Sequence, residues 1–438
     1  MKNKVFGIIA FIALALLSNL SYAQSTNGTT PPATGGSPAF TTGLQFGSMM
    51  INGTNYNAIR LQPDLNLGKF GVGLDLNFEF DANGNFRMAE WSTWQSILSK
   101  ILYIRWGTKA GLNPTTDPVY AKIGSINDFT LGHGLVVYRY SNMLNYPDIK
   151  KMGLAFDLDL GYVGFESVVG NIFDWDLLGM RIFGRPLYQS GIPMLDTLTV
   201  GATWVADLDP NDPVPSAATP YDFADDPTSI PMSVYDFDAS LIVFANPIIE
   251  MLTYLDIVGI SGKGSGEFVG ALGKIISLIP YRFELRILQP KFLPNYFDTF
   301  YDASRSAKYA LLDSITDGYA GWLFSSGISL FEDKLVWTLE IQDSFGDITK
   351  PILTMMLDIK KELLTKFAFR FTWIRQNIAE FADIFEYVST DSILITDIEY
   401  YVSDSLAIVL NYKRTYKLDA FGVPQEFVST AISTKMAF

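Results

Sequence analysis

The chain holds one histidine, His133, set between Gly132 and Gly134. An imidazole can serve as a general base or as a metal ligand, and either role needs a nucleophile or carboxylates brought close by the fold. The sequence carries no Gly-x-Ser-x-Gly elbow and no His-Glu-x-x-His pair. His133 therefore reads as a loop or wall histidine, and no enzymatic activity is expected. Gly262-Lys263-Gly264-Ser265-Gly266 has the composition of a phosphate loop without its spacing, and reads as a flexible turn. Asp207, Asp209 and Asp212 open a stretch that runs to Pro227 without a Lys or Arg. Clustered hard oxygens can hold Ca²⁺. The competing reading is a solvated acidic loop, because the EF-hand spacing is absent and prolines interrupt the run. There is no cysteine, so disulfides and thiolate metal sites are excluded, and no cofactor is expected.

A larger set of charges lies inside segments that alternate with period two, the mark of a strand. From Ile279 to Ile287, Tyr281, Phe283 and Leu285 alternate with Arg282, Glu284 and Arg286. Around Leu154 to Leu160, Phe156 and Leu158 alternate with Asp157 and Asp159, and Arg370 sits likewise between Phe369 and Phe371. Arg105, Arg181 and Arg185 occupy equivalent positions. A charge pointing into lipid costs about 2–4 kcal/mol at the midplane, so these side chains must face water or one another. Two readings follow. Opposed Arg and Asp/Glu rows could line a conducting lumen and select polar solutes or ions by a transverse field. Alternatively, the charges pair structurally and fill a closed or plugged lumen. The expectation is the conducting lumen, with the surplus of acids favouring cations.

The elements that must position these residues read as a membrane barrel. Met1 to Ala23 has a basic start, an uncharged apolar run and small residues at Ser21 and Ala23, the plan of a signal peptide cleaved after Ala23. Residues 24–40 are rich in Ser, Thr, Gly and Pro and read as a disordered leader or a short plug. The chain is 48% hydrophobic and 14% aromatic. Past the leader no stretch could form a transmembrane helix, and in lipid the only other structure that satisfies every backbone group is a closed barrel. Phe70 to Phe80 is the clearest strand, with Phe70, Val72, Leu74, Leu76, Phe78 and Phe80 on one face and Asp75, Asn77 and Glu79 on the other. Tight links near 67–69, 161–162, 331–333, 361–364 and 403–404 alternate with long polar ones near 81–99, 127–150, 207–232, 289–318, 376–391 and 415–426. Short turns at one end and long loops at the other characterise outer-membrane barrels. A soluble sandwich would also alternate, but with shorter strands. The fold class is thus all-β: a transmembrane antiparallel up-and-down barrel over residues 41–438, with an even strand count of about 18 (range 16–20). The segments 133–139 and 265–274 are the ambiguous ones.

The final segment, Phe427 to Phe438, must pair with the first strand near Leu44 and Phe46 to remove the open edge. At its end, Met436 and Phe438 resemble the signal by which barrels reach their assembly machinery. Lys122-Ile123-Gly124-Ser125-Ile126, Thr130-Leu131-Gly132-His133-Gly134, Arg139-Tyr140-Ser141-Asn142-Met143 and Leu178-Gly179-Met180-Arg181 resemble stretches of uncharacterised porin-like outer-membrane barrel proteins of spirochaete and related bacteria. The resemblance is close over roughly residues 120 to 205 and one of layout elsewhere. It implies a porin-like barrel in the outer membrane and no particular substrate. The expected function is passive or weakly selective uptake of small polar solutes or ions. The alternatives are a plugged transporter of hydrophobic solutes and a surface structural or adhesive barrel. Expected partners are outer-membrane lipid, the barrel-assembly machinery and small solutes; a homo-oligomer stays open. With 46 acidic against 32 basic side chains, a nucleic-acid partner is excluded.

Overall fold

The computed structural model describes residues 39–51, 54–108, 117–144, 146, 149–211, 230–346, 348–385, 391–403, 406–418 and 424–437. The expected signal peptide, nearly all of the leader, Asp212 and Phe438 lie outside the described residues. The strands in chain order are β1 (Ala39–Ile51), β2 (Thr54–Leu67), β3 (Phe70–Leu74), β4 (Leu76–Asp81), β5 (Ile101–Trp106), β6 (Val119–Gly124) and β7 (Gly153–Asp159). There follow β8 (Val163–Val169), β9 (Leu177–Gly184), β10 (Thr199–Asp207), β11 (Met232–Ala245), β12 (Ile249–Ile260), β13 (Ser265–Ile275) and β14 (Ile279–Leu288). The last seven are β15 (Tyr319–Leu330), β16 (Leu335–Ser344), β17 (Ile352–Ile359), β18 (Phe367–Arg375), β19 (Ser392–Ser403), β20 (Leu406–Leu418) and β21 (Pro424–Ala437).

Apart from β4, each strand pairs antiparallel with the next in the ring, and β21 returns to β1 with Leu44 opposite Thr434 and Thr41 opposite Ala437. The result is a closed ring of 20 strands, with β4 continuing β3 past Asp75 and pairing only with β2. Closure on the first strand near Leu44 is as expected; the count is 20 and not about 18. β13 shows why the count fell short. Its inward face carries Phe268 and Leu272 beside Gly266 and Gly270, while Glu267 points outward. Apolar and polar faces are mixed there, and the periodic signal fades. The other ambiguous segment, 133–139, is not a wall strand at all.

Elsewhere the alternation is that of a barrel turned inside out relative to a soluble sheet. In β11, Tyr235 and Phe237 are 47% and 64% exposed, while Asp236 and Asp238, which alternate with them, are 3% and 5% exposed. In β14, Phe283, Leu285 and Ile287 point out, and Glu284 and Arg286 are buried inside. An apolar exterior around a polar interior suits lipid outside, where a water-soluble sandwich would have the reverse. Tight links 68–69, 160–162, 246–248, 276–278 and 331–334 gather at one end. The turn at 276–278 holds Ile276 and Ser277 at φ 46° and 57°, the left-handed values that match strand twist in a short hairpin. Links 82–100, 125–152, 208–231, 289–318 and 376–391 gather at the other end.

The described residues of two of those long links, expected as polar outer loops, fold into the lumen. Residues 129–140 form a small hairpin: Phe129 and Tyr140 exchange N–H···O bonds of 2.9 Å, and Leu131 N donates to Val137 O at 3.1 Å. Its tip is Gly132-His133-Gly134, with both glycines at positive φ, 56° and 86°, where a side chain would be strained. The second link, 289–318, contains the helix Tyr301–Ser314. The two are stitched together by Asn295 N to Leu135 O (2.9 Å), Phe297 N to Val136 O (3.1 Å) and Tyr138 N to Phe297 O (3.0 Å). Leu135, Val137, Tyr140, Phe292, Phe297 and Tyr301 then form an apolar core against inward Val205, Val258, Phe268 and Leu288 of the wall. Burying each such side chain contributes roughly 1.5–3 kcal/mol. On the far side Leu144 packs with Ile374 and Ile393, joined by Phe300 and Ala303 of the second link. The insert therefore spans the lumen from wall to wall.

Candidate functional site

The inner face of β14 presents Arg282, Glu284 and Arg286 in line, because alternate strand residues share a face. Glu284 accepts from Arg286 Nε at 2.5 Å, from Arg282 Nη2 at 2.9 Å and from the Tyr254 hydroxyl at 2.6 Å. Arg282 Nη2 also donates to the His133 carbonyl at 2.8 Å, and Arg286 Nη1 to Gln342 Oε1 at 2.9 Å. His133 stacks on Tyr254 with centroids 4.6 Å apart, and its Nδ1 lies 3.1 Å from both carboxylate oxygens of Asp256. Gly270, opposite Tyr254 in the ladder, leaves room for that ring; a Cβ there would fall 2.2 Å from Tyr254 Cζ. Alongside, Arg181 donates to Asp238 at 2.9 and 2.7 Å and to Glu166 at 3.3 Å, and Gly132 N caps Glu166 at 3.3 Å. The hairpin tip is thus held by β8, β12 and β14. Arg282 is the fourth residue of β14 from the tight-link end, so the tip penetrates past the middle of the barrel.

Further charged contacts hold the rest of the insert. Arg305, on the lumen helix, bridges Asp176 (2.9 Å) and Asp207 (3.0 Å), and the Tyr301 hydroxyl also donates to Asp207. Lys151 lies between Asp176 (3.3 Å) and Asp302 (3.1 Å). Burial alone would push the Lys151 ammonium down; Asp302 and Asp176 outweigh it and raise its pKa. Lys308 is lowered by burial, an effect that Asp298 at 2.6 Å only partly offsets. Asp75 receives Arg60 at 2.5 and 2.6 Å, Lys150 at 3.1 Å and the Tyr146 hydroxyl at 3.1 Å. Tyr138 donates to Glu340 at 2.6 Å, and Lys413 Nζ to the Met143 carbonyl at 3.0 Å.

The structure brings Arg282, Glu284 and Arg286 together and sets Arg181 in the adjoining cluster. It does not gather the other predicted lumen residues into one constriction. Asp159 pairs bidentately with Arg185 at 2.8 Å near the tight-link end. Asp157 is buried on the inner face of β7. Arg105 Nη1 donates to the Gly107 carbonyl at 2.6 Å and Nη2 to Asn66 Oδ1 at 3.3 Å. Arg370 lies 3.8 Å from Asp397, its side chain 55% exposed, and Lys435 lies 3.3 Å from Glu399. The last four form a charged wall on β18, β19 and β21 that stays accessible below the insert. Most of the charges expected to line the lumen are engaged by one another or by the insert. Asp207, predicted as a weak metal ligand, is taken by Arg305; Asp209 lends Arg305 its carbonyl. Met436 lies opposite Thr42 and Leu406, in the seam that closes the ring.

Asp256, Tyr254, Lys151, Tyr138 and Arg305 were not foreseen. A signal was present: Leu135-Val136-Val137 and the aromatics Phe292, Tyr296, Phe297 and Tyr301 are too apolar for exposed loops.

No protein-family model and no curated protein matches the chain. Solved structures similar to it include the outer membrane protein OpdK from Pseudomonas aeruginosa, at 10% identity over 92% of this chain and 98% of that one, with TM-score 0.35. The ferric enterobactin receptor PfeA of the same organism, in a mutant form, is 10% identical over 92% of this chain and 81% of that one, with TM-score 0.38. OccK2 (OpdF) of that organism, in complex with glucuronate, is 9% identical over 92% and 97%, with TM-score 0.35. At these values no residue, ligand or activity carries over, and the barrel rests on its own closed hydrogen-bonded ring.

Proposed function

We propose that this chain is an outer-membrane uptake barrel for small polar solutes or ions whose lumen is closed at rest by the segments 125–152 and 289–318. Lipid meets the apolar exterior, and solute meets the charged wall within. The observation that carries the reading is the insert itself, which crosses from Asp256 and Glu166 on one side to Ile374, Ile393 and Lys413 on the other. Passage requires the insert to move. A packed lumen core of Phe268, Phe292 and Phe297 is not an apolar cleft, so the polar wall supports polar solutes over hydrophobic ones. A solute opens the barrel only by binding the open state more tightly; a swing from 1:99 to 99:1 takes about 5.5 kcal/mol of differential binding. Planar-bilayer recording of the purified chain tests this. The native chain should stay mostly shut, and replacing residues 128–148 by a short Gly-Ser link should give steady conductance. A native chain that conducts steadily, or a shortened one that stays shut, overturns the reading.

A further inference from the structure

Asp236, Asp238 and Asp256 place one carboxylate oxygen each within 4.8 Å of the others, all three side chains buried in the wall. The sheet fixes this geometry: Asp238 and Asp256 are directly opposite across β11 and β12, and Asp236 is the next inward residue along β11. Two of the three have partners. Asp238 receives Arg181 on both oxygens, and Asp256 faces His133 Nδ1. Asp236 does not share them: its Oδ1 is buried without a hydrogen-bond partner among the described residues. A second orphan lies across the ladder. Thr203 of β10 is opposite Asp236, and its buried Oγ1 also has no partner there. With Glu166 nearby, the acids of this cluster outnumber Arg181, the arginine that pairs with Asp238 and Glu166. Buried carboxylates at this spacing repel, and something must neutralise them.

We propose that Asp236, Asp238 and Asp256, with Thr203, form a site for a single hard divalent cation, Ca²⁺ by choice. The donors are all oxygens, the chain has no cysteine, and the nearby imidazole already faces Asp256 through Nδ1. Such a set favours Ca²⁺ or Mg²⁺ over zinc. Donors fixed on three adjacent strands suit Ca²⁺, which tolerates irregular geometry, better than Mg²⁺, which demands a near-ideal octahedron. Ligand oxygens 3–5 Å apart are what a shell of 2.3–2.6 Å Ca–O distances requires (about these values). The site is independent of any transport role.

The test is calorimetric titration of CaCl₂ into the full-length barrel refolded in detergent with a chelator, then dialysed free of it. One high-affinity Ca²⁺ per chain is expected, together with a higher unfolding temperature in Ca²⁺ than in EDTA. Asp236→Asn should weaken binding at least tenfold and remove the temperature difference. Thr203→Val, a gentler change, should fold and bind several-fold more weakly. No calcium-dependent heat and equal unfolding temperatures would overturn the proposal, with protons then neutralising the triad. Binding that survives both substitutions would also overturn it, by placing the ion elsewhere, such as the acidic stretch after Asp207.

Discussion

His133 illustrates how a residue changes meaning once its surroundings are known. As a solitary histidine between glycines it read as part of a loop or of the wall. In the barrel it is a peg, stacked on Tyr254 and held by Asp256, with its carbonyl held by Arg282. His133→Ala should leave Asp256 buried without that partner and cost about 1–3 kcal/mol. The expected outcome is a lower urea midpoint and more frequent channel openings; unchanged gating would show that the peg holds nothing. Arg305→Met should cost more, about 3–5 kcal/mol, because it removes the cation that Asp176 and Asp207 share in a buried setting, leaving them Lys151 and the Tyr301 hydroxyl. Unfolding curves of the two variants side by side check the order. Lys151 supplies a pH dependence. Its folded-state pKa is raised above the 10.5 of a free lysine, so its contribution is complete below that pH and is lost as pH rises through the folded value. The insert should hold through neutral pH and loosen only in alkaline medium above about 10.5, read as hydrogen exchange in residues 125–152. Loosening between pH 6 and 9 would point to another group.

At the scale of elements, legibility followed the chemistry each face meets. Strands with lipid outside and charge inside, such as β14 and β7, announced themselves by strict alternation. β13 was obscured because its inner neighbours are the apolar core of the insert, which put Phe268 and Leu272 where polar residues were expected. The insert was missed for a related reason. Loop length marks segments 125–152 and 289–318 as long links, but only pairing across hundreds of residues, as between Tyr138 and Glu340, turns them inward. The outward faces offer a direct check. Phe237→Arg, on the exterior of β11, should cost about 2–4 kcal/mol in lipid bilayers, whereas the same change in a detergent of thin apolar layer should cost less. Equal tolerance in both would argue against a lipid-facing wall there.

For the molecule as a whole, the ring and its polarity were readable from period, link asymmetry and the need to close the last strand on the first. The state of the lumen was not. An inward charge has the same sequence pattern whether it faces water or a partner; only the position of its partner, as for Arg181 with Asp238 or Arg60 with Asp75, distinguishes pore from plug. Because the chain lacks cysteine, Met143→Cys with Lys413→Cys can be joined by a bifunctional maleimide, tying the insert to β20 on the side away from His133. Single-channel recording before and after joining is the most direct measurement. Brief openings that vanish on joining and return when a cleavable linker is cut are the predicted result. Steady current that is indifferent to the tether would contradict a lumen closed by its own loops.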